Sequence, residues 1–183
     1  MKFKLDIEDD ALDFEGWAFL HFHSIMPGYV FADSLNRLYD YDLTRIDDMV
    51  LEGAAWPMFR YEDAVQHCLF FLVERPAAAT EAPWEAGDKL LVIKGEHAET
   101  VARDIFADFT GNAVYDEADL LAREHADLLD SLLTAFTVVN ILDFFTAPVS
   151  RKAVKERQQV QECCDTMLAY IEQKRLDLTG MER

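Results

Sequence analysis

The chain has 183 residues, 51% of them hydrophobic and 13 of them Phe. That is enough apolar mass for one domain, or one domain with an appendage, and too much for disorder. A formal net charge of −18 repels phosphate backbones and anionic lipid surfaces, which argues against nucleic-acid and membrane partners.

The charge is uneven: residues 1–150 carry 10 Lys and Arg against 29 Asp and Glu, whereas residues 151–183 carry 7 against 6. The opening M-K-F-K-L-D-I-E-D-D places acids where a signal peptide needs an apolar run. Cys68, Cys163 and Cys164 form neither a disulfide framework nor a Cys-x-x-Cys site, so the expected compartment is a reducing cytoplasm.

In chain order, Phe3, Leu5 and Ile7 alternate with polar residues and predict a short strand or arm. W-A-F-L-H-F-H-S, residues 17–24, is a strand pattern stopped by Pro27-Gly28. Val30, Phe31, Leu35 and Leu38 then fall on one helical stripe. Asp47-Asp48 is expected in a solvated connection. R-Y-E-D-A-V-Q-H-C-L-F-F-L-V-E, from Arg60, predicts one long strand whose end is buried on both faces. The Ala/Pro-rich segment 75–87 is a loop, D-K-L-L-V-I-K-G from Asp88 another strand, and Val101, Ile105, Phe106 and Phe109 a helical face ending near Gly111. N-A-V-Y supplies a last short strand.

The expected fold class is therefore α+β: an antiparallel sheet in ferredoxin-like β-α-β-β-α-β order over residues 1–116. Residues 117–183 are expected to form a C-terminal two-helix hairpin packed on the sheet domain or on a second subunit. Its first helix runs from about Asp119 to Phe145 and its second starts after Ser150, with Val160, Cys164, Met167 or Leu168, and Ile171 on one stripe. Asp130, Asn140 and Asp143 interrupt the apolar run from Leu128, which favours a buried helix over a membrane span.

Several pieces resemble the IPExxxVDY family of small bacterial proteins. They are W-A-F-L-H-F-H-S followed by G-Y-V-F-A-D-S-L-N-R-L, then F-R-Y-E-D-A-V, F-L-V-E-R-P, A-P-W-E-A-G-D-K-L-L-V-I-K-G and N-A-V-Y-D-E-A-D, over roughly residues 15–120. Pro83 and Asp88 stand for the Pro and Asp of the naming motif, with the spacing one short and the tyrosine absent. The resemblance implies a bacterial source and no particular activity.

His21 and His23 share one face of a strand, with backbones about 6–7 Å apart, a spacing that lets two imidazoles reach one ion. His67, beside Cys68 on a strand expected to pair with theirs, is the third candidate ligand of a metal-dependent enzyme. The competing reading makes these histidines residues of a less buried sheet face. Cys163 and Cys164 diverge by about 100° on a helix, so no disulfide is expected between them and at least Cys164 reads as a packing residue.

No phosphate-binding glycine loop, G-x-S-x-G elbow or other catalytic spacing is present, and no cofactor is expected. The leading expectation is a non-catalytic protein-interaction module that forms a homodimer. Leu132, Phe136 and Val139 would make its apolar contact, and Arg151, Lys152 and Lys155 its basic one. A small-ligand-binding regulatory domain is the alternative, with a pocket near Met26-Pro27-Gly28 and the 75–87 loop lined by Trp56 or Trp84. An acidic DNA mimic is disfavoured because the acids are scattered.

Overall fold

The structure is a computed structural model that describes residues 16–51, 53–79, 84–110, 136–141 and 150–181. Its elements are β1 (Trp17–Ser24), α1 (Gly28–Tyr39), β2 (Thr44–Leu51), β3 (Ala54–Asp63), β4 (Cys68–Glu74), β5 (Lys89–Gly95), α2 (Ala98–Thr110), β6 (Phe136–Asn140) and α3 (Arg151–Met181). The strands form one sheet in the order β2-β3-β4-β5-β1-β6, every neighbouring pair antiparallel. No described helix is long and apolar enough to cross a membrane.

Both faces of the sheet are buried, which explains the nearly unbroken apolar text of β4 and β5. On one face Leu20, Phe22, Phe70, Leu72, Leu91 and Ile93 pack against Phe31, Leu35 and Leu38 of α1 and Val101, Ile105 and Phe109 of α2. On the other, Phe19, Phe71, Val73, Leu90 and Val92 pack against Cys164, Met167 and Ile171 of α3. Period-2 alternation in the strands and three-and-four spacing in the helices thus assign each residue to a layer. Each fully buried Phe or Leu contributes about 1.5–3 kcal/mol.

The expected stripe of α3 is the one it buries, and Cys164 is part of that packing, with Cys163 half-buried and neither cysteine in a disulfide. Arg151, Lys152 and Lys155 are exposed on its first turns.

Three expectations are corrected. The segment from Arg60 is a hairpin, not one strand: β3 ends at Asp63 and β4 begins at Cys68. Its turn contains no Gly, Pro or Asn. Instead Asp63 Oδ1 accepts the backbone N–H groups of Val65 and Gln66 at 2.8 and 2.9 Å, and His67 takes a left-handed φ of 51°. This turn presses on β5, for a Cβ on Gly95 (φ 150°) would lie 2.1 Å from the His67 carbonyl oxygen.

The second correction concerns Asp47-Asp48, which is not a connection but part of β2. The pairing with β3 slips by one residue between Ile46 and Met49, a β-bulge that places both acids at the sheet's edge. There the Asp48 carbonyl accepts the Tyr170 hydroxyl at 3.1 Å, and Lys174 approaches the Asp47 carboxylate at 3.4 Å.

Third, Phe136–Asn140, inside the expected helix 119–145, is strand β6 paired with β1. Its sequence F-T-V-V-N is rich in β-branched residues, which fit a pleated surface. Phe136 and Val139 therefore lie in a strand. Leu132, N-A-V-Y, Gly111 and Phe3 to Ile7 lie outside the described residues.

Candidate functional site

Strand β1 sends Phe19, His21 and His23 to the α3 face, and its register with β5 sets His21 opposite Leu90. The β1–β5 ladder closes at Phe22 and Lys89, so Asp88 stands one residue beyond the last pair, beside His23. Its carboxylate turns to the α3 face and meets both rings. His21 Nε2 lies 2.8 Å and His23 Nδ1 3.0 Å from the same oxygen, Asp88 Oδ2. A carboxylate oxygen accepts, so each ring donates an N–H to it. The Glu85 backbone N–H adds a third donor at 3.0 Å.

Burial grades the cluster. Asp88 is 3% exposed and His21 6%, whereas the His23 side chain is 47% exposed. Trp84 closes the inner side, its ring centroid 5.3 Å from that of His21. Burial drives the His21 pKa below its ordinary value, with the Asp88 hydrogen bond and charge opposing it, so the ring is neutral at neutral pH.

A neutral imidazole is the form that ligates a metal. Among the described residues, His21, His23 and Asp88 are the one group of three or more His, Cys, Asp or Glu whose ligand atoms converge, all within 4.8 Å of one another. Zinc holds nitrogen at about 2.0–2.1 Å and carboxylate oxygen at about 2.0–2.2 Å, so tetrahedral donors stand about 3.3–3.5 Å apart. The present separations need changes of no more than about 1.5 Å to reach that spacing. Both rings must also exchange tautomers, moving the proton away from Asp88. The donor set fits a divalent ion, and its open side is the solvent side at His23.

His67, the third ligand expected from sequence, is not in this group. It is exposed in the β3–β4 turn, whose neighbour Cys68 pairs with Gly95, the far end of β5 from Asp88. The carboxylate that does reach the histidines was hidden in sequence by a separation of 65 to 67 positions. Its one visible signal is an acid-base pair, Asp88-Lys89, at the mouth of an otherwise apolar strand.

Lys89 points to the opposite face and is 0% exposed. Its ammonium donates to the backbone carbonyls of Ser24 (3.3 Å), Met26 and Gly87, and stands 3.7 Å from Glu74 Oε1. Burial lowers its pKa, and the charges of Glu74 and Asp88 oppose that shift. Glu74 Oε2 also accepts the Gly28 N–H at 3.1 Å, at the start of α1. Of the aromatic residues proposed to line a pocket, Trp84 sits at the cluster. Trp56 is buried between the sheet and α3.

No family model, no curated protein and no solved structure matches the chain.

Proposed function

We propose that this protein binds a divalent transition-metal ion through His21, His23 and Asp88. The observation that carries this reading is the convergence of two imidazoles and one carboxylate, from strands far apart in sequence, within 4.8 Å. An N,N,O donor set with an open side suits zinc, iron, cobalt, nickel or manganese, ordered by availability and geometry more than by raw affinity. Bound there, the ion would supply Lewis acidity to a molecule arriving from solvent.

The chain's own contribution is positional. Trp84 shields His21 from water, Glu85 fixes the carboxylate through its N–H, and His23 admits solvent. The test is a cobalt(II) titration of untagged protein, followed in the visible spectrum and by equilibrium dialysis against zinc. One equivalent should bind, and Asp88→Ala or His23→Ala should weaken binding on the order of 100-fold or more. Absence of stoichiometric binding, or binding that persists in both variants, would sink the reading.

The scaffold reading belongs with it. We read β1-α1-β4-β5-α2-β6 as a ferredoxin-like unit and β2-β3 as a hairpin inserted after α1. The support is that β6-β1-β5-β4 are consecutive in the sheet and that α1 and α2 share one face. In such a unit the ends of β1 and β5 that carry the site lie beside each other at the sheet's centre.

A further inference from the structure

We infer that Lys89 is the positioning residue of the His21–His23–Asp88 site, a buried ammonium that holds the ligand-bearing ends of β1 and β5 together. This rests on the metal-binding reading for its purpose, though not for its geometry.

On its β4 side Asp88 is held by backbone bonds, its carbonyl accepting the Arg75 N–H at 2.8 Å and the Gly87 N–H donating to the Arg75 carbonyl at 2.9 Å, but pairing with β1 does not reach it. The last β1–β5 partners are Phe22 and Lys89, and His23 and Asp88 both lie one step past them. His23 is still paired on its other side, with Thr137 of β6, but Asp88 has left the β1–β5 ladder. What spans the gap to β1 is Lys89. Its ammonium donates to the carbonyl of Ser24, which follows His23, and to that of Gly87, which precedes Asp88. The Met26 carbonyl takes a third N–H, so three acceptors match the three donors an ammonium has.

The chain is built for this approach. A Cβ on Gly87, which has φ 89°, would lie 3.1 Å from the Ser24 carbonyl oxygen. Glu74 supplies the countercharge, and its other oxygen anchors the first N–H of α1. A Cβ on Gly28 would meet that oxygen at 2.4 Å. Two glycines and a carboxylate thus make room for one ammonium. Because Asp88 and Lys89 alternate across the strand, the clasp acts from behind the site without touching the ion.

The experiment compares full-length wild type, Lys89→Met and, as a control, Lys94→Met, whose ammonium pairs with Glu172 near the far end of β5. Methionine keeps the stem and removes the donors. Two readouts are taken: the histidine ring N–H signals in ¹⁵N NMR of metal-free protein, and the cobalt(II) dissociation constant. Lys89→Met should lose the His23 Nδ1–H signal and bind cobalt at least about tenfold more weakly, in the range measured when outer partners of metal ligands are removed. Lys94→Met should change neither.

Should Lys89→Met fail to fold, the double variant Glu74→Met/Lys89→Met removes both charges and takes its place, since apolar replacement of a buried pair is often neutral. Ring protons and affinity unchanged in the variant would overturn the inference while leaving the metal site standing. If wild type binds no cobalt but the variant still loses the His23 proton, the metal reading falls and the positioning role of Lys89 stands.

Discussion

Two clusters in this molecule set rings against carboxylates, at His21, His23 and Asp88 and at Tyr39, Tyr41 and Tyr61. In the first, two nitrogens point at one oxygen. In the second, the Tyr39 hydroxyl donates to Asp108 at 2.9 Å, while Tyr41 stacks on both other rings at centroid distances of 5.3 and 5.2 Å. The tyrosines pack face to face, with Tyr41 between the other two rings. Burial, then Asp108, pushes the Tyr39 pKa above its ordinary value, and burial, then Asp63, does the same for Tyr41. Both clusters are acidic and aromatic, yet of the two only the first brings two ring nitrogens to one carboxylate oxygen. The tyrosine cluster is mortar between α1, α2 and the sheet.

That contrast can be broken most severely at Asp88. Asp88→Ala strands the buried His21 donor and the Glu85 N–H, and should cost about 2–4 kcal/mol of stability in urea unfolding besides abolishing tight cobalt binding. A cost below about 1 kcal/mol would mean that the carboxylate is not integral to this end of the sheet.

The two clusters should next differ in where pH harms them. His21 has a folded pKa below the unfolded value of 6.5, so the unfolded chain takes up protons first and stability falls as pH drops below about 6.5. Tyr39 and Tyr41 have folded values above 10, so the unfolded chain loses protons first and stability falls as pH rises past about 10. Chemical denaturation across pH should show His21→Gln flattening the acid limb and Tyr39→Phe the alkaline one. If either substitution acts on the wrong limb, the assignment is mistaken.

A smaller effect is expected at neutral pH from Tyr39→Phe, about 1–2 kcal/mol for a partly buried bond to a carboxylate, with cobalt binding untouched. The smallest belongs to His67→Ala, at about 0.5 kcal/mol or less and with an unchanged cobalt affinity. A measurable loss of metal there would return His67 to the site.

The shared face of His21 and His23 was legible in sequence because strand alternation is local, and so were α1, α2, β5 and the buried stripe of α3. The hairpin of β3 and β4 was not, because Asp63 side-chain bonds and a left-handed His67 do the work that Gly, Pro or Asn would have announced. Strand β2 was missed because an edge strand with one well-buried residue, Met49, shows no alternation. Strand β6 was hidden in a long apolar run in which T-V-V alone argues for a strand. Asp88 could be read as a strand's first residue but not as a ligand, since only the order of strands brings β5 beside β1.

The adjacency of Asp88 and Lys89 has one more consequence, for how the chain finds its register. A slip of one residue between β5 and its neighbours would turn the ammonium toward the histidines and Trp84, and bury the carboxylate beside Glu74 and the Phe31 ring, over which Lys89 now lies. Both errors bury unpaired or like charges, so they penalise each other's rescue. Uniformly apolar strands such as Leu-Leu-Val-Ile can slide with little loss of burial. The two opposite charges at the mouth of β5 act as a proofreading mark that disfavours misaligned sheets.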